Sequence, residues 1–241
     1  MRSFAISLVL AAVFVFAAAQ PALGDAFTID EWGLTTLVQT LSAGQDAEFS
    51  VVVENPFQVT HFASMGNSTS ETVYDFAWGE QFGQFMIQGA QQAEDSGGGS
   101  LIYTSSEGHI IFTNNSDNTI TVTVEAEYAY DLPAYGMTAY VWILFADFET
   151  HEHYFAAEEW EDTFLGGPKQ GTFTMGGEGF IPAGREVYFG YTMKVDADGS
   201  TGTFATGDGH ITFTITPEPT TASLLALGAF MLVRRRRCGR K

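Results

Sequence analysis

Residues 119–128 alternate without a fault. Ile120, Val122, Val124, Ala126 and Tyr128 fall on one side; Thr119, Thr121, Thr123, Glu125 and Glu127 fall on the other. A period of two with one wet face marks a strand of an antiparallel sheet that is covered on one side only. Asn114-Asn115-Ser116-Asp117-Asn118 ahead of it is a turn cluster, and 109–113 leads into it, which predicts a hairpin. Residues 187–195 alternate in the same way, with Val187, Phe189, Tyr191, Met193 and Val195 inward. Pro182-Ala183-Gly184 precedes them as a turn, and Asp196-Ala197-Asp198-Gly199 follows as a hairpin loop. A new strand is expected from 201–205, and a last one around Ile211, Phe213 and Ile215.

Earlier strands are expected at 27–34, 47–54, 58–63 and 72–78; 82–88 reads either as a strand or as a short helical turn. Residues 94–100, with three successive glycines, read as a flexible loop. Many short strands separated by Gly, Asn and Pro turns, with no long helical period, predict an all-β fold: a two-sheet antiparallel sandwich, immunoglobulin-like or jelly-roll. No repeat of fixed period argues for a propeller or solenoid.

Both ends of the chain have a different character. Arg2 precedes an apolar stretch over 4–19, and Ala22 and Gly24 follow. Charged start, apolar middle and small-residue exit compose a secretory signal peptide, a helix expected to be removed before Asp25, with a cut after Ala19 or Ala26 as the alternatives. At the other end stand Pro217-Glu218-Pro219, a mostly apolar run over 220–233, and Arg234, Arg235, Arg236 and Arg237. The run has 14 residues, fewer than the roughly 20 an α-helix needs to cross a bilayer's hydrocarbon core. Arginines at the end of such a helix hold it on the cytoplasmic side. The expected organisation is therefore signal peptide 1–24, body 25–216 and C-terminal signal 217–241.

This tail resembles the PEP-CTERM sorting signal of exported proteins in Gram-negative and related bacteria. The likeness covers 217–237 and has all three parts in order. It implies two processing partners, signal peptidase for the leader and the membrane enzyme exosortase for the tail. Exosortase would recognise the region of Pro217, Glu218 and Pro219, cleave nearby and release or transfer the body, after transient membrane insertion through the C-terminal hydrophobic helix. The implied destination lies across the inner membrane: the cell envelope, the cell surface or an extracellular matrix.

Without its two ends the chain keeps three cations, Lys169, Arg185 and Lys194, against 28 carboxylates. The body's formal charge is then −25, beyond the −19 of the whole chain. Such a field repels phosphate, which excludes nucleic acid as a partner, and it favours cations. Its plainest meaning is a solvated surface. Cys238, the single cysteine, stands in the tail, so the body has no disulfide and no cysteine-based metal site. It is nevertheless long enough to bury one core unaided.

Chemistry is sparsely written. Residues 137–148 are apolar on both faces, with Met137, Ala139, Val141, Ile143 and Phe145 on one and Thr138, Tyr140, Trp142 and Leu144 on the other. Such a strand is either covered twice or offers aromatics to a ligand. Rings on a sheet suit the C–H faces of sugars, which makes Tyr140 and Trp142 candidate carbohydrate-binding residues; the plainer alternative packs them under a loop. Asp196 and Asp198, two apart and followed by glycine, are the best local Ca²⁺ candidates, although turn chemistry alone accounts for them. His151 and His153 would share one side of a strand, with no third ligand indicated, and 158–162 reads as a solvated acidic loop.

No nucleophile elbow, phosphate loop or zinc motif is present, and no cofactor is expected. With 28 acids, a carboxylate pair at glycosidase spacing arises by chance. Asn67 and Asn114 stand in Asn-x-Ser/Thr sequons. The expected function is that of an exported, non-catalytic envelope or matrix protein with a strongly acidic body. The alternatives are a carbohydrate-binding module holding extracellular polysaccharide and, behind it, a secreted polysaccharide hydrolase.

Overall fold

The computed structural model describes residues 27–40, 44–49, 57–79, 82–94, 101–198 and 202–217. The expected signal helix, the hydrophobic C-terminal helix and the sorting residues Glu218, Pro219 and Arg234 to Arg237 lie outside them, as do the glycines of the loop expected at 94–100. The described residues form twelve strands: β1 (Phe27–Thr40), β2 (Gly44–Phe49), β3 (Phe57–Met65), β4 (Ser68–Gly79), β5 (Phe82–Glu94), β6 (Ile102–Asn114), β7 (Ile120–Leu132), β8 (Met137–Asp147), β9 (His153–Asp162), β10 (Lys169–Ile181), β11 (Glu186–Ala197) and β12 (Phe204–Pro217). Among the described residues no helix is long and apolar enough to cross a membrane.

The strands assemble into two antiparallel six-stranded sheets. Sheet I has the order β2-β1-β6-β11-β8-β9 and sheet II the order β10-β7-β12-β5-β4-β3. The alternating residues do what their period demands. Ile120, Val122, Val124, Ala126 and Tyr128 of β7 are each at most 5 % exposed, and Val187, Phe189, Tyr191, Met193 and Val195 of β11 are fully buried. The expected all-β, two-sheet architecture is thus the one observed.

Several local expectations need correction. The segments either side of Asn114–Asn118 do not pair: β6 lies in sheet I and β7 in sheet II, so this turn carries the chain between sheets. The same holds for the connection from β11 to β12. Alternation says which face of a strand is buried but is silent about its neighbour. Asn114 supplies the reason at the first crossing. Its buried amide donates to the carbonyls of Asn118 (2.9 Å), Ile181 (3.0 Å) and Pro182 (3.1 Å), while the backbone N–H of Gly184 donates to its carbonyl at 2.8 Å. One side chain therefore fastens two sheet-to-sheet turns together. The strands expected at 201–205 and around Ile211 are one, β12. Residues 82–94 are a strand throughout. The acidic segment 158–162 belongs to strand β9, not to a loop, and β10 has no counterpart in the expectations.

β10 escapes a search for alternating apolar residues because glycine fills some of its inward sites. At Gly177 an added Cβ would stand 2.5 Å from a ring carbon of Phe155, so the missing side chain on sheet II is replaced by a ring reaching over from sheet I. The interior between the sheets has two halves. At one end Phe85, Phe145, Phe189 and Phe213 pack ring on ring, Phe85 and Phe213 stacked at 4.4 Å. At the other, hydroxyls meet: Tyr191 donates to Tyr74 (2.9 Å), Thr36 to Thr72 (2.8 Å) and Tyr128 to Gln91 (2.8 Å). Burial drives the Tyr74, Tyr128 and Tyr191 phenols upward, so they remain neutral donors.

Candidate functional site

The outward positions of sheet I collect aromatic side chains. On β8, Tyr140 and Trp142 point away from the core and are half-buried, while Ala139, Val141 and Ile143 between and beside them face inward with no exposure. Antiparallel pairing sets Trp160 of β9 opposite Tyr140 and Glu158 opposite Trp142. Paired residues share a face, so all four belong to one surface. Trp160 is 62 % exposed. On the other side of β8, Lys194 of β11 lies opposite Tyr140 and Thr192 opposite Trp142.

The surface continues across β11 to β6. Tyr188 stacks on His109 with ring centroids 5.7 Å apart and planes 16° off parallel. Gly190 lies between them in register, opposite His109 and Leu144. A Cβ on Gly190 would sit 2.6 Å from Tyr188 Cε1 and 3.0 Å from Trp142 Cη2. The absent side chain is what lets these two rings converge, and a diagonal of rings runs Trp160, Tyr140, Trp142, Tyr188, His109 over four strands. Tyr140 and Trp142 are therefore covered by neighbours on their own sheet face.

Electrostatics on this face are one-sided. Burial, and then the Glu158 carboxylate to which it hydrogen-bonds, raise the Tyr140 phenol above its ordinary range. Lys194 stands 5.5 Å from the Tyr140 ring centroid and binds Asp196 at 3.2 Å. Glu31 reaches His109 at 3.6 Å and is itself 65 % exposed. The other two cations of the body are also matched by acids, Lys169 by Glu161 and Arg185 by Asp147 and Glu149.

The remaining candidates are placed differently. Asp196 is the penultimate residue of β11, and one oxygen of its carboxylate accepts Thr138 Oγ1 (2.8 Å) as well as Lys194. The backbone N–H of Asp198 donates to Gly136 O at 2.7 Å. Among the described residues no three His, Cys, Asp or Glu side chains gather as a metal site. His151 and His153 do not share a strand: His151 occupies a turn at φ 60°, and β9 begins at His153. That turn is built on Asp147, buried at 2 % exposure, whose carboxylate accepts the N–H groups of Glu149 (3.0 Å) and Thr150 (2.7 Å) and the hydroxyl of Tyr154 (2.9 Å). The Thr150 backbone bond, with the Tyr154 hydroxyl and Arg185 behind it, holds the Asp147 carboxyl down at about 2. Burial and Asp147 push Tyr154 up to about 12.

Of the two sequons, Asn114 is fully buried, whereas Asn67 stands exposed in the β3–β4 turn and donates to Glu94 (2.9 Å). Pro217 is the final residue of β12, paired with Ile120. The residues missed by sequence reasoning are Trp160, Tyr188 and His109. Trp160 was legible: Glu158, Trp160 and Asp162 share a parity, but the acids around it read as loop. Tyr188 and His109 sit at polar-face positions of strands already expected, and only register brings them to Trp142.

The outer face of sheet II contrasts with this one. It has a depression of about 420 Å³ lined by Phe62, Glu71, Gln92, Asp131, Thr206 and Asp208. Small residues floor it, and its aromatic walls are Phe62 at the sheet edge, 58 % exposed, and Tyr130 of β7.

No family model and no curated protein matches the chain. Among solved structures it is similar to an arabinose-bound α-L-arabinofuranosidase at 13 % identity and a TM-score of 0.22, over 67 % of this chain and 23 % of that one. A structure described as a family 4 carbohydrate-binding module is similar at 15 % identity and a TM-score of 0.18, over 66 % and 78 % of the two chains. The VP2 subviral particle of infectious bursal disease virus is similar at 10 % identity and a TM-score of 0.22, over 88 % and 72 %. The chain spans less than a quarter of the arabinofuranosidase, and likeness this slight is no guide to activity.

Proposed function

We propose that this is an exported, non-catalytic protein whose acidic β-sandwich body holds polysaccharide on the outer face of sheet I, and that its tail directs exosortase processing at the cell envelope. The observation that carries the glycan reading is the row of rings around Tyr140, Trp142 and Trp160 on an outward sheet face. Partly exposed rings backed by a rigid sheet present flat apolar surface at low entropic cost, and neighbouring Thr138, Thr192 and Glu158 offer polar partners for hydroxyls. The strand order from β5 onward, β10-β7-β12-β5 facing β6-β11-β8-β9, favours the jelly roll over the immunoglobulin fold.

The test is retention on insoluble polysaccharide. Trp160→Ala should release the protein while its circular dichroism and thermal midpoint persist, and Trp142→Ala should release it while its circular dichroism persists; retention unchanged in both variants would sink the reading. The sorting half rests on 217–237 alone. Intact mass from cells with and without exosortase tests it, and an uncleaved C-terminus in both would overturn it.

A further inference from the structure

Resting on the glycan reading of sheet I, we infer that this face selects a glycan bearing free amino groups. The rings are accompanied by carboxylates that no lysine or arginine among the described residues answers. Glu158 lies across from Trp142 and accepts the Tyr140 hydroxyl; Glu31 borders His109; Glu107 of β6 lies opposite Thr192, beside Trp142. The one lysine on the face, Lys194, is held by Asp196 and by the Tyr140 ring. Any chain laid on the rings displaces water from these carboxylates.

Three classes of chain then fare differently. A neutral chain leaves the carboxylates partly desolvated without a counter-charge, which is unfavourable. A uronic-acid chain adds like charge to a body of formal charge −25. An amino-sugar chain places ammonium groups against the carboxylates and over the indole faces of Trp142 and Trp160, so that the rings and the acids act on the same ligand.

The experiment titrates the full-length chain with short oligomers of equal length: glucosamine, N-acetylglucosamine and a uronate. The glucosamine oligomer should bind about tenfold tighter than its acetylated counterpart, a difference lost at high salt, and the uronate should not bind. Because a protein this acidic attracts any polycation, the position of the charge decides the matter. Glu158→Gln should weaken glucosamine binding several-fold and N-acetylglucosamine binding far less, while Glu125→Gln on the outer face of sheet II, an identical loss of charge, should change neither. Trp160→Ala should weaken both sugars. Equal affinity for the two sugars, with Trp160 still required, would overturn the amino selection and leave the glycan reading standing. Equal effects of Glu158→Gln and Glu125→Gln would reduce the preference to diffuse attraction and overturn it likewise. Failure of every oligomer to bind would overturn both.

Discussion

The two sheets of this protein share one core and one period, yet their outer faces carry different chemistry. Outward positions of sheet I hold Tyr140, Trp142, Trp160 and Tyr188, with a single lysine among them. Outward positions of sheet II hold Glu125, Glu127, Asp131 and Asp208 among threonines, alanines and glutamines, with its exposed rings, Phe62 and Phe180, set apart on the two edge strands β3 and β10. Either set satisfies a solvent-facing strand. Tyr140, Trp142 and Tyr188 are half-buried against one another, and only Trp160 keeps most of its ring in water, where it forgoes roughly 25 cal/mol per Å² of apolar area. The contrast separates what the sandwich needs in order to stand from what one of its faces can contact.

The strongest way to break the comparison is through the core that both faces share. Phe213 packs on Phe85, Phe145 and Phe189, rings drawn from both sheets. Phe213→Ala should cost about 3–5 kcal/mol, read from urea denaturation, and should abolish glycan retention along with the fold. A cost below about 1 kcal/mol would mean the two sheets do not depend on this contact.

The next effect is acid-sensitive and belongs to the end where turns join the sheets. The Asp147 carboxyl, ordinarily near 3.8, is held at about 2 in the folded chain. A depressed folded value stabilises the protein above the unfolded value. That contribution, on the order of 2 kcal/mol, should therefore be complete above about pH 4 and disappear as pH falls toward 2. Asp147→Asn should lower stability at neutral pH and remove this part of the acid dependence; an unchanged profile between pH 2 and 5 would refute the assignment.

Tyr191→Phe is expected to cost about 1 kcal/mol, since it deletes the buried bond to Tyr74 and keeps the ring. It should leave glycan retention intact, which thermal denaturation and a retention assay together would check. The smallest stability effect sharpens the comparison most. Trp160→Ala and Glu125→Gln should each stay within about 0.5 kcal/mol of the parent, because both side chains are exposed. Only the first should weaken retention. A large loss of stability in Trp160→Ala would make the face of sheet I part of the core.

Much of the fold was legible because period two is a local property. Residues 120–128, 137–145 and 187–195 reported their inward sides correctly, and the exposures agree position by position. β10 was illegible for an equally local reason: glycines stand where the apolar signal should be, and Phe155 fills the space from another strand. The acidic half of β9, 158–162, was mistaken for a loop because its acids hid the parity of Trp160. Of the candidate site, Tyr140 and Trp142 could be named from sequence. Trp160, Tyr188 and His109 could not be joined to them, since a strand's neighbours are not written in its own alternation.

By itself the sequence determined the class of fold, the buried face of its clearest strands, the negative charge of the body and the character of its two ends. Each follows from residue type and spacing along the chain. Tertiary structure alone decided that the turns after β6 and β11 cross between sheets, that Asp196 is occupied by Lys194 and Thr138, and that rings from four strands meet on one face. Those outcomes depend on which strands become neighbours and in what register. That choice is made by long-range packing and by fasteners such as Asn114, which act between residues far apart in the chain.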